Sequence, residues 1–92
     1  MSDRIIPYTH WAYFPDRSSA EACARELPEY VTRVQGPDEG RWLLLAGRDV
    51  VVGGMVERHR EVEEIVARHG GDYDGGENSR LEGDPGIEGV TG

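Results

Sequence analysis

The chain has 92 residues, of which 37% are hydrophobic and 30% charged, and eighteen acidic side chains against ten arginines set its net charge at −8. That length supports one domain with a modest core, and the apolar content is high enough that disorder is not the default. The apolar runs Trp42–Ala46 and Val50–Val52 are too short for a membrane-spanning helix, the start MSDRII lacks a signal-peptide pattern, and the acidic excess disfavours phosphate backbones as partners. Cys23 is the single cysteine, which excludes an internal disulfide and fits a reducing, cytoplasmic setting.

In chain order, the alternation around RIIPYTHWAYFP predicts a strand from about Tyr8 to Phe14. His10, Ala12 and Phe14 share one face of it, and Trp11 and Tyr13 the other. DRSSAEACAREL then predicts a short helix, capped by Ser18 or Ser19, with Ser18 and Glu21 at capping-box spacing. Its stripe is Ala20, Cys23, Ala24 and Leu27, and Pro28 marks its end. EYVTRVQ and RWLLLAG, separated by GPDEG, predict a hairpin. The second of these runs is apolar on both faces, as a central strand would be.

RDVVVGG reads as a connection with an extra turn, followed by a helix from Met55 to His69. Its stripe holds Met55, His59, Val62, Ile65, Val66 and His69, while Glu57, Glu61 and Glu64 form a solvated face. Gly70 can stop this helix in the left-handed conformation, Gly71 lets the chain reverse, and DYD predicts a very short last strand. From Asn78 to Gly92 the chain is glycine-rich and poor in apolar residues, and is expected to form a flexible tail after a single domain over 1–77.

The order β, α, β, β, α, β predicts an α+β, ferredoxin-like sandwich: a four-stranded antiparallel sheet with two helices on one face. Trp11, Tyr13, Arg33, Leu43 and Leu45 should line its open face.

Three motifs of this chain, HWAYFPDRSSAEACARE, GPDEGRWLLLAGRDV and GGDYDGGE, resemble the regulator of ribonuclease activity B (RraB) family over about residues 10 to 77. In the last of them Gly76 stands where the family usually has tryptophan. The resemblance implies a ferredoxin-like domain without catalytic activity that binds ribonuclease E, chiefly outside its catalytic part, and reduces its cleavage of RNA. It also implies an acidic protein meeting an arginine-rich segment.

Other chemistries are less well supplied. His59 and Glu63 share a helix face, but no third ligand falls at a diagnostic spacing for a metal-dependent enzyme, and DYDGGE lacks the ligand run of a calcium loop. Cys23 lies on an apolar stripe with nothing to activate it, and neither a phosphate loop nor a nucleophile elbow is present. No catalytic residue, metal or cofactor is therefore expected. The expectation is a protein-binding module with Asp72, Asp74, Glu61 and Glu64 as electrostatic contacts and Trp11 and Tyr13 as apolar ones. A homodimer through the open sheet face, with an unknown ligand or none, is one alternative, and a small metal-dependent enzyme around His59 and Glu63 is the other.

Overall fold

The computed structural model describes residues 4–79. Strand β1 spans Ile5–Phe14, helix α1 Arg17–Arg25, β2 Val31–Asp38, β3 Arg41–Val51, α2 Met55–Arg68 and β4 Asp72–Glu77, with a 3-10 turn at Val52–Gly54. The strands lie in the order β2-β3-β1-β4, and every neighbouring pair is antiparallel. The two helices pack on the same face, where Ala20, Cys23, Val62 and Val66 join Ala12, Phe14, Leu44 and Ala46 in one buried cluster. The fold is the α+β, ferredoxin-like sandwich that the order of elements predicts.

Several boundaries move, each for a local reason. β1 begins at Ile5 rather than Tyr8 and so includes Pro7. Pairing with β4 starts only at Thr9, so Pro7 has β3 on one side and no strand on the other, an edge position where a missing N–H is tolerated. Helix α1 is capped not by a serine but by Asp16, whose carboxylate accepts from the Ser19 amide at 2.8 Å and the Ser18 hydroxyl at 3.1 Å. Those contacts hold the Asp16 carboxyl below the usual range. Glu21, freed from a capping-box role, pairs with Arg17 at 2.7 Å.

The hairpin turn narrows to Glu39 and Gly40, both at positive φ, between the paired residues Asp38 and Arg41. Gly36 and Pro37 form a bulge inside β2 instead of belonging to the turn. RDVV continues β3 to Val51 because Ile5, Ile6 and Pro7 extend β1 alongside it. β4 likewise exceeds DYD and carries Gly75 and Gly76, with a register shift opposite Trp11 and Ala12. The expected tail lies, beyond Ser79, outside the described residues.

Helix α2 ends where expected, with Gly70 at φ +77°. Gly71 is required for a different reason than chain reversal. A β-carbon there would sit 2.4 Å from the Phe14 ring and 2.8 Å from a Val66 methyl, so the absence of a side chain is what lets the helix end close onto the sheet. Arginine–carboxylate pairs such as Arg17–Glu21, Arg48–Glu29, Arg58–Glu61 and Arg68–Glu26 decorate the described residues, each with at least one well-exposed partner, and at about 0–1 kcal/mol each they count for less than the apolar layer. Burial of Phe14 alone, at 1% exposure, contributes roughly 2–3 kcal/mol.

Candidate protein-binding face

The register assigns each strand residue to a layer. Trp11 pairs with Leu45, which pairs with Arg33; Tyr13 pairs with Leu43, which pairs with Gln35. Ala12, Phe14, Leu44 and Ala46, on the alternate positions, are buried under the helices, so Trp11, Tyr13, Leu43 and Leu45 face the other way and are only half-buried. No described element covers them.

On the β4 side the same face is acidic. Asp72 pairs with Tyr13, and the carboxylate of Asp74 accepts a hydrogen bond from the Trp11 indole N–H at 3.2 Å. Asp74 reaches the indole because the bulge in β4 adds one residue between the pairings of Ala12 and Trp11. On the β3 side the guanidinium of Arg41 lies 4.2 Å from the centre of the Tyr13 ring. An exposed stack of this kind contributes about 0.5–1 kcal/mol and holds both side chains flat against the sheet.

Four of the six residues singled out from the sequence, Trp11, Tyr13, Asp72 and Asp74, thus come together on one surface. Glu61 and Glu64 do not join them. They are exposed on α2, in the opposite layer, and Glu61 accepts from Arg58 at 2.7 Å. That the Arg41 guanidinium lies over Tyr13 follows only from the pairing of β3 with β1, which no local pattern encodes.

Under the helices the structure holds a second group that spacing in the sequence does not reveal. His10 is buried, with Nδ1 2.7 Å from the Tyr73 hydroxyl, and its ring centre is 5.2 Å from that of His59. His59 Nε2 is 2.9 Å from the Tyr8 hydroxyl. Burial, assisted by His59, lowers the pKa of His10 to about 4, so its ring is neutral at pH 7. Burial pushes the Tyr73 hydroxyl upward in turn. Glu63 stays exposed on α2, so His59 has a tyrosine rather than a carboxylate as its partner. Among the described residues no group of three His, Cys, Asp or Glu side chains could hold a metal ion.

Cys23 is fully buried, and burial together with Glu26 raises its thiol to about 11. A thiol reagent at pH 8 is expected to leave the native chain unmodified and to label it stoichiometrically in urea. Rapid labelling of the folded protein, followed by absorbance, would contradict that placement. Two cavities, of about 200 and 210 Å³, lie at Arg48–Arg58 and at Glu26–Tyr30, and neither is lined by Trp11, Tyr13, Leu43 or Leu45. Both are smaller than the roughly 300–1,000 Å³ common for small-molecule sites. No helix among the described residues is long and apolar enough to cross a membrane.

Neither the curated proteins nor the solved structures give a match to this chain. The family model described as regulator of ribonuclease activity B matches residues 2–77, which takes in all four strands and both helices. A match over that share of the chain is decisive, and the protein belongs to the RraB family, the regulators of ribonuclease activity.

Proposed function

We propose that this protein is a non-enzymatic cytoplasmic regulator that binds ribonuclease E and slows RNA cleavage, with the open sheet face as its docking surface. The observation that carries the choice of surface is the convergence of Trp11, Tyr13, Asp72 and Asp74 on one face, where no described element covers Trp11 or Tyr13. Its apolar centre supplies short-range energy, and its acidic edge, within a chain of net charge −8, steers a basic protein segment toward it. The same charge works against direct contact with RNA.

The test is affinity for ribonuclease E of the same organism, by calorimetry, beside its cleavage of an RNA substrate. Trp11→Ala is expected to weaken binding by about 2 kcal/mol, roughly thirtyfold, as for a central aromatic anchor. Asp74→Asn should cost less and should flatten the dependence on salt. Glu64→Gln, in the other layer, should have little effect; a loss as large as that of Trp11→Ala would move the docking surface to α2. Absence of binding, or unaltered cleavage at saturating protein, would refute the proposal.

A further inference from the structure

We infer that the open sheet face also pairs with its own copy in a second chain, forming a two-fold dimer whose axis runs along the strands between β3 and β1. The face is polar across the strands. Arg33 on β2 and Arg41 on β3 lie to one side, Asp72, Asp74 and Glu77 on β4 to the other, and Trp11, Tyr13, Leu43 and Leu45 between them. A two-fold rotation about an axis parallel to the strands turns the face over and exchanges its two sides, while each cross-strand row keeps its level.

The consequences can be read row by row. In the row of Arg33, Leu45 and Trp11, whose indole holds Asp74, Arg33 of one copy meets Asp74 of the other and Leu45 meets Trp11. In the next row Leu43 meets Tyr13, and Gln35 meets Asp72. The crossed axis, perpendicular to the strands, would instead set acid against acid and arginine against arginine, so charge selects the parallel one. Two sheets packed this way keep their strands within about 30°.

The dimer and the ribonuclease complex would use the same face and exclude each other, so self-association would hold the regulator in reserve. This one consequence rests on the function proposed above.

Sedimentation velocity on the full chain tests the dimer, with circular dichroism to verify folding. A reversible monomer–dimer equilibrium is expected on the order of micromolar to several hundred micromolar. Arg33→Asp and Asp74→Arg should each weaken it about tenfold or more, because each sets like charges against one another twice across the axis. Arg33→Gln and Asp74→Asn should give smaller losses in the same direction. Mixing the Arg33→Asp and Asp74→Arg chains should restore association, since both cross pairs then carry opposite charges. A wild-type chain that stays monomeric throughout, a dimer indifferent to these substitutions, or no recovery on mixing would overturn the inference. A monomer that still inhibits the ribonuclease defeats only the dimer, and a charge-sensitive dimer with no effect on ribonuclease E defeats only the function.

Discussion

Replacing Gly76 with alanine is expected to destabilise the domain by about 3 kcal/mol, at the upper end of overpacking costs. Gly76 pairs with His10 on β1, and a β-carbon there would stand 2.6 Å from the Thr9 carbonyl oxygen, 2.6 Å from the Tyr8 ring and 3.2 Å from the His10 α-carbon. The Tyr8 ring could give way, but the backbone of Thr9 and His10 cannot move without disturbing the centre of the sheet. Tyr8→Ala should therefore fail to rescue Gly76→Ala, and Gly76→Trp should not fold.

In a domain of this size that loss lowers the melting temperature by about 12–24 °C. Gly54→Ala is the control, since the added carbon there approaches nothing nearer than 3.9 Å and should cost less than about 0.5 kcal/mol. Equal melting temperatures for the Gly76 and Gly54 variants would show that β4 does not lie as closely on β1 as described. Gly76 thus lies against β1 in the helix-covered layer, paired with His10, and the Tyr8 ring stands where its side chain would have to go.

The second large effect is a loss of stability on mild acidification. The His10 ring takes a proton near pH 6.5 in the unfolded chain and near pH 4 in the folded one. Between those values the unfolded state binds the proton that the folded state refuses, so stability falls as the pH is lowered through this window. The full loss is about 3 kcal/mol, a large fraction of the roughly 4–11 kcal/mol that a domain of this length commands. The refusal has a geometric source. His59 of α2 stands beside the ring, and Tyr8, Tyr30 and Tyr73 pack around it, so no carboxylate among its ring and hydrogen-bond contacts compensates a charge.

Urea unfolding at pH 7, 6 and 5 measures this slope. His10→Asn should lower stability at pH 7 but flatten the dependence above pH 5. Parallel curves for the two proteins would mean that another group titrates instead.

Much of the architecture was legible in the sequence because it rests on local periodicity. The 3.6-residue stripe of Val62 and Val66, the two-residue alternation of Ala12 and Phe14, and the stop at Gly70 are all short-range patterns, and the structure keeps them. Errors collected where two segments compete for the same function. Asp16 outbid the serines as cap because its carboxylate is a stronger acceptor for the first free amides. β3 and β4 grew longer because β1 offered them unpaired backbone.

The candidate site was half legible. Alternation assigned Trp11 and Tyr13 to the open face, and the short strand DYD left Asp72 and Asp74 as outward contacts. The sequence by itself thus determined which residues alternate between a buried and an open layer, since backbone geometry fixes that period. Tertiary structure decided which charges meet on that layer. Trp11 and Asp74 are 63 positions apart, and only the β4–β1 pairing joins them. The same holds for the neutral His10 within its aromatic surroundings: its burial follows from strand parity, but its neighbours are set by the docking of α2 and β4, contacts between distant segments that no local pattern encodes.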